Sequence, residues 1–137
     1  MKVFLDTNVV VDFCVQREEF FKPAAQIIDL AISGEIELVI SSLTFINVAY
    51  IVRKAFGKDI VFGKLQKLSE LCNISEIDEH VIKSSIAKHS KDFEDCVQCF
   101  SAMKANSDLI ITRNKNDFED LPLKTMTPTE FIEHCTQ

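Results

Sequence analysis

Short apolar segments with strand character alternate along the chain with longer segments whose apolar residues recur at helical spacing, and no other feature restricts the fold as much. Such alternation predicts a mostly parallel sheet with helices packed on both faces. We therefore expect an α/β fold with three layers, α/β/α, around a central sheet. The predicted strands are Lys2–Asp6, Ile36–Ile40, Asn73–Ile77, Leu109–Thr112 and Leu123–Met126.

Residues that favour helix termini delimit the segments between these strands. Gly34 and Gly57 follow two helical segments, where a glycine readily ends a helix, and Thr127 with Pro128 suits the start of the last one. The polar segment 114–120 predicts a loop or a single turn. The predicted helices are Thr7–Gln16, Glu18–Ser33, the stretch from Ser41 and Ser42 to Phe56, Lys58–Cys72, Asp78–His89, Asp92–Ala105 and Thr127–Cys135.

Length, composition and charge limit the classes of protein that this chain can represent. Its 137 residues suit a single domain over residues 1–137, and 47% hydrophobic residues are enough for a core. The 15 lysines and arginines against 21 aspartates and glutamates give a net charge of −6, so the chain lacks the electrostatic footprint of a general nucleic-acid binder. That charge does not exclude a site where a bound divalent cation reverses the local sign.

The apolar runs and the cysteines predict the compartment. No apolar run is long enough to span a membrane, and the five scattered cysteines, an odd number, suggest free thiols in a reducing cytoplasm. Cys96 and Cys99 form a C-x-x-C pattern, which occurs in redox and zinc sites. They lie in a predicted helix without a second pair, which favours core packing over metal binding.

Acidic residues at the ends of strands are the candidates for a functional site, because ligands of open α/β sheets gather at the carboxyl ends of the strands. Asp6 ends the first strand, Asp117 follows the strand at Leu109–Thr112, and Asp95 lies in the first turn of the helix that begins near Asp92. Three converging carboxylates repel one another unless a cation neutralises them, and hard oxygen ligands suit Mg²⁺ or Mn²⁺. Such a site fits the metal-assisted hydrolysis of a phosphodiester.

Each of these carboxylates also has a purely structural interpretation. Asp6 suits an N-cap for the helix at Thr7, and Asp92 suits an N-cap with Asp95 as its capping-box partner. Asp117 lies in a polar loop, where a solvated charge is the ordinary expectation. These residues by themselves leave both interpretations open.

Three segments together resemble the PIN-domain family. Phe4–Asp12 resembles the family's first strand, which ends in an Asp followed by a small hydroxyl residue and often by Asn. Asp92–Gln98 resembles the helix with the family's third acid, and Asp95 is the matching carboxylate. Leu109–Phe118 resembles the strand and loop in which a Thr-Arg-Asn run precedes Asp-Phe. The three segments follow the family's order and spacing over almost the whole chain.

The resemblance implies a small α/β/α domain with Mg²⁺- or Mn²⁺-dependent endoribonuclease activity on RNA, in which Asp6, Asp95 and Asp117 hold the metal and orient the attacking water. For members of the VapC type it also implies a toxin that an antitoxin protein holds inactive, and a homodimer. The apolar segments Phe45–Phe56 and Ile60–Leu71 independently favour a protein partner, because surplus apolar surface commonly marks an interface.

One position departs from the family pattern. The family's second acid lies in the helix after the second strand, and Asn47 stands there, so this position adds no negative charge. Asn114 competes with Asp117 for the place of the last ligand, and we assign Asp117 for its charge and Asn114 as its helper. The other expected contributors are Thr7 and Asn8 as supporting hydrogen-bond partners, and Arg113 and Lys115 as phosphate contacts.

Two other functions remain compatible with the sequence. Asn47 motivates a catalytically weakened PIN domain that binds RNA or a protein partner. Asp6 and the serines at Ser41–Ser42, both at strand ends, superficially fit the nucleophile and hydroxyl motifs of a haloacid-dehalogenase-like phosphatase. That family needs a second acid two residues after the nucleophile, where Asn8 stands, so the phosphatase is the third interpretation.

Overall fold

Five parallel strands form one sheet in the computed structural model, which describes residues 1–137. The order across the sheet is β3-β2-β1-β4-β5. The strand β1 is central, and its Val3 lies opposite Leu38 of β2 on one side and Leu109 of β4 on the other. The predicted parallel α/β sheet is confirmed. The strands are β1 (Lys2–Leu5), β2 (Glu37–Ser41), β3 (Cys72–Ser75), β4 (Leu109–Ile111) and β5 (Thr125–Met126).

Seven helices connect and cover the strands, and one 3-10 helix at Lys115–Phe118 occupies the predicted polar turn. None of the seven combines the length and the apolar character that crossing a membrane requires. The helices are α1 (Thr7–Cys14), α2 (Phe21–Ile32), α3 (Ser42–Phe56), α4 (Lys58–Leu71), α5 (Glu79–Lys88), α6 (Phe93–Lys104) and α7 (Pro128–Cys135).

The start of α2 differs from the sequence-based prediction by three residues. The helix begins at Phe21 and not at Glu18, and a turn closed by the Phe21 N–H donating to the Arg17 carbonyl at 2.7 Å precedes it. Proline has no N–H to donate, so it is tolerated only in the first turn of a helix. Starting at Phe21 places Pro23 at the third position, whereas a start at Glu18 would place it at the sixth and lose a helical hydrogen bond.

Alternate side chains of the strands enter two separate cores, one on each face of the sheet, as expected for a sheet covered on both sides. In β1, Val3 and Leu5 join a cluster of 19 buried residues that includes side chains of α1, α2, α3, α4 and α7. Phe4 joins a second cluster of 8 buried residues on the opposite face, together with Cys96 and Cys99 of α6. All five cysteines are free, and the C-x-x-C pair packs in this core.

Replacement of Phe4 with alanine should strongly destabilise the fold. Phe4 has no exposed surface and is one of the eight buried residues of the second core. A buried Phe→Ala change costs about 3–5 kcal/mol in the free energy of unfolding, which urea denaturation measures. Phe93→Ala is the matched control because Phe93 is 51% exposed. Equal losses from the two variants would contradict the placement of Phe4 in the core.

Candidate active site

The sheet has a switch point between β1 and β4, because the chain builds outward from β1 through β2 to β3 and later returns to add β4 and β5 on the other side. Crevices outside the carboxyl ends of strands at such points are the usual ligand sites of open α/β sheets. Asp6 follows β1 and Thr112 follows β4 at this place. The Asp6 N–H donates to the Ile111 carbonyl at 3.0 Å, which fixes the two strand ends side by side.

The carboxylate of Asp6 is held by three donors from its surroundings. It accepts from the Thr7 N–H at 2.8 Å, the Thr112 hydroxyl at 2.8 Å and the Asn8 side-chain amide at 3.3 Å. Burial raises the pKa of Asp6, while the bonds from Thr112 and Thr7 lower it and the charge of Asp117 raises it further. Asp6 is therefore both the N-cap of α1 and an almost buried carboxylate at the switch point.

Asp95 lies in the first turn of α6. Asp92 is the N-cap of that helix, since its side chain accepts from the Asp95 N–H at 2.9 Å, and no reciprocal capping box forms. Burial raises the pKa of Asp95 to about 7, and the charges of Asp6, Asp92, Asp117 and Glu94 add to the shift. The carboxyl of Asp95 thus lies in a field of like charges that makes ionisation unfavourable in the absence of a cation.

A cleft of about 330 Å³ brings the three predicted acids together. Asp6, Asp95 and Asp117 all line it, although they come from three separate elements of the chain. The predicted helpers Thr7, Asn8 and Asn114 line it as well. Side chains that the sequence analysis did not assign to the site complete the lining: Val11, Arg17, Ile51, Asp92 and Glu94.

A buried polar network supports the floor of the cleft. Gln98 of α6 has no exposed surface, and its amide donates to the hydroxyls of Thr7 at 3.1 Å and Thr44 at 2.9 Å. Its amide oxygen accepts from the Ser41 hydroxyl. Gln98 and Thr44 were not predicted from the sequence. The available signal was a glutamine on the inward face of a helix, between the buried residues Val97 and Cys99.

Two predicted phosphate contacts are held by acidic partners. The Arg113 guanidinium donates from Nε to Asp12 at 2.7 Å and lies 4.0 Å from the centre of the Phe20 ring. Lys115 pairs with Glu130 at 2.9 Å. Neither residue lines the acidic cleft, whose single cationic side chain is Arg17. A role of Arg113 or Lys115 in phosphate binding stays a prediction.

Asn47 also lies outside the lining of the cleft. Its side-chain amide donates to the Glu94 carboxylate at 3.4 Å, and Glu94 does line the cleft. Burial first, and then the charges of Asp6 and Asp92, raise the pKa of Glu94. Asn47, which stands on α3 where the family has its second acid, therefore contacts an acid of α6.

The donor set of the cleft suits a hard divalent cation. Its carboxylate, amide and hydroxyl groups offer oxygen ligands, and no cysteine or histidine lines it. No three side chains of His, Cys, Asp or Glu are close enough together to enclose an ion by themselves. Mg²⁺ usually keeps several of its waters and binds through one or two carboxylates. Asp6, Asp95 and Asp117 fit such a partly hydrated ion.

The fold and the cleft define a class of protein: a small α/β/α domain with an acidic, oxygen-lined site at the switch point of a parallel sheet. A model of the PIN domain matches residues 2–116. The chain belongs to the PIN-domain family. The resemblance of the three sequence segments is thereby confirmed, and the haloacid-dehalogenase-like interpretation loses its support.

Individual relatives agree with this assignment. Ribonuclease VapC1 of Aquifex aeolicus (strain VF5) is 29% identical over 140 residues, which cover 96% of this chain and 94% of the relative. A toxin-antitoxin complex from Klebsiella pneumoniae has a chain with a TM-score of 0.69 and 22% identity, with coverage of 92% of this chain and 97% of that chain. VapBC-1 from nontypeable Haemophilus influenzae gives a TM-score of 0.69 at 20% identity, with coverage of 94% and 99%. The two structures share the fold of this chain.

Asp95→Asn should stabilise the metal-free protein at pH 8. The substitution removes one charge from a group of mutually repelling carboxylates and keeps the size of the side chain. We expect the Tm in EDTA to rise by about 2–6 °C, the shift that roughly 1 kcal/mol gives in a chain of this size. Asp59→Asn is the control, since Asp59 occupies the first turn of α4 outside the cleft and only favours its helix N-terminus.

The rise in Tm caused by Asp95→Asn should be larger at high pH than at low pH. The pKa of Asp95 is about 7 in the folded metal-free protein, above its ordinary value of 3.8. Its charge therefore opposes folding fully above pH 7 and progressively less as the pH falls toward about 4. The Tm difference between Asp95→Asn and wild type should be largest at about pH 8 and shrink at about pH 5. A difference that stays constant with pH would contradict the raised pKa of Asp95.

Proposed function

We propose that this protein is a VapC-type endoribonuclease that hydrolyses RNA phosphodiester bonds with Mg²⁺ or Mn²⁺ and acts as the toxin of a toxin–antitoxin pair. The observation that carries the proposal is the convergence of Asp6, Asp95 and Asp117 in one cleft at the switch point of the sheet. Burial, together with the like charges of the neighbouring acids, raises the pKa of Asp95 to about 7, and a divalent cation bound here would offset both effects.

Each acid has a distinct structural role in this function. Asp6 is fixed by Thr112, Thr7 and Asn8, so its carboxylate is a rigid ligand on one wall. Asp95 on α6 and Asp117 on the 3-10 helix complete the anionic set from the other elements. When bound, the cation supplies positive charge that polarises a phosphoryl oxygen and lowers the pKa of the attacking water.

The relatives support the substrate and the partner. One relative is named a ribonuclease, and two similar solved structures are a toxin-antitoxin complex and a VapBC assembly. The net charge of −6 disfavours RNA binding by general electrostatic attraction. The bound cation would therefore also provide the local positive charge that brings a phosphate to the acidic cleft.

A second candidate is a PIN domain that binds RNA or a protein without cleaving RNA. The observation in its favour is that no three acidic side chains enclose an ion, while Asn47 brings no charge. Calorimetric titration with Mn²⁺ separates the two functions. Binding at or below millimolar Mn²⁺ favours the nuclease, and absence of binding favours the non-catalytic module.

Asp6→Asn should abolish metal-dependent cleavage of a pool of transfer, ribosomal and messenger RNA. The loss should be at least about 100-fold, because removal of a partner that merely orients a metal ligand already costs 10- to 100-fold. Asparagine is a good N-cap, so α1 should keep its start and the variant should fold. Circular dichroism checks the fold.

This experiment has two controls. Wild type in EDTA should be inactive and regain activity with Mg²⁺ or Mn²⁺. Asp59→Asn, outside the cleft, should cleave like wild type. Cleavage by both Asp6→Asn and Asp95→Asn at the wild-type rate would remove the proposed mechanism.

A homodimer stays a prediction, and the face shared by α3 and α4 is where we expect it. Phe62 is 81% and Tyr50 66% exposed, and both line a shallow cleft of about 480 Å³. Wild type should elute with twice the mass of 15.6 kDa in size exclusion with light scattering, and Phe62→Glu should elute as a monomer. Ile32→Glu, 65% exposed on α2, is the control and should remain dimeric. A monomeric wild type would contradict this assembly.

A further inference from the structure

Two polar contacts connect α3 and α6 beside the cleft. Thr44 accepts from Gln98 at 2.9 Å in the buried part, and Asn47 donates to Glu94 at 3.4 Å nearer the surface. Asn47 follows Thr44 by three residues, and Glu94 precedes Gln98 by four, so each pair of positions shares one helix face. The buried contact therefore sets the two helices so that Asn47 meets Glu94.

Glu94 belongs to the acidic cleft, whereas Asn47 does not. Glu94 lines the same cleft as Asp6, Asp95 and Asp117. Glu94 directly precedes Asp95 in the first turn of α6, so the two acids enter the cleft from the same helix. Glu94 thus lines the cleft that the acids we assign to the metal share.

Asp92 also lines the cleft besides the three predicted ligands, but it serves as a helix cap. The Asp92 side chain accepts from the Asp95 N–H at 2.9 Å and caps α6. Glu94 makes no such bond to the backbone of its helix, and its hydrogen bond comes from the Asn47 amide. An amide donor at position 47 orients a carboxylate at position 94, whereas an acid at position 47 would repel it.

We propose that Glu94 is a fourth carboxylate of the divalent-cation site and that Asn47 is its positioning residue. This inference rests on the proposed function, because it assigns additional residues to the same metal. The negative charge that position 47 does not provide on α3 is then provided from α6, through the contact between the two helices. Asn47 acts on the cation through Glu94 and not as a ligand itself.

The first experiment is calorimetric titration of the full chain with Mn²⁺. Glu94→Gln keeps the length of the side chain and removes its charge, and it should weaken Mn²⁺ binding by about 10- to 100-fold. Glu79→Gln is the matched control, since Glu79 is an exposed acid in the first turn of α5 outside the cleft. It should leave Mn²⁺ binding within about 2-fold of wild type. The Tm of both variants in EDTA checks that they fold.

The second experiment tests positioning with a double-mutant cycle. Asn47→Ala should weaken Mn²⁺ binding by about 3-fold in wild type and by less than about 1.5-fold in the Glu94→Gln background, because the amide then has no carboxylate to orient. A merely structural role of Asn47 would give the same loss in both backgrounds. The rate of RNA cleavage at saturating Mn²⁺ provides a second readout.

The outcomes separate this inference from the proposed function. Wild-type affinity in Glu94→Gln, together with lost binding in Asp95→Asn, would overturn the role of Glu94 and leave the nuclease intact. Equal effects of Asn47→Ala in both backgrounds would overturn the positioning role. If wild type itself neither bound Mn²⁺ nor cleaved RNA, the proposed function would fail, and this inference would fail with it.

Discussion

The repulsion among carboxylates gathered at one edge of the sheet is the constraint on which the site depends. Asp6 is 6% exposed, so its charge is tolerated only because Thr112, Thr7 and Asn8 donate to it. Asp95 lacks such compensation, and its pKa rises to about 7. A cation that neutralises these carboxylates also stabilises the fold that holds them together. Cation binding and the stability of the protein are therefore linked.

The parallel sheet makes this convergence possible, because it directs strand ends and helix starts toward one edge. Asp6 ends β1 and caps α1, Ser41 ends β2 and caps α3, and Asp92 caps α6 beside them. Helix N-termini carry partial positive charge, which offsets part of the repulsion among nearby carboxylates. The Asp6 side chain therefore serves as a helix cap and as part of the cleft at the same time, so its role as a cap does not exclude the metal-binding role that we propose.

Much of the fold was predictable because local patterns and the final packing agree. The five strands and seven helices were found within a few residues of their predicted bounds, and Pro23 explains the late start of α2. The convergence of Asp6, Asp95 and Asp117 followed from strand direction and family resemblance together. Gln98 and Glu94 were missed, because a polar residue in a helix shows its role only through partners on other elements.

The sequence alone predicted the parallel α/β fold, the PIN-type segments and three acids that line one cleft in the structure. Hydrophobic periodicity and strand ends can be recognised within a single segment of the sequence, and the tertiary packing does not change them. The pairing of Arg113 with Asp12 and the contact of Asn47 with Glu94 become visible only in the folded structure. These contacts join residues 101 and 47 positions apart, so the packing of α1, α3 and α6 against the sheet creates them. Distances across separate elements are set by that packing and by no pattern within one segment.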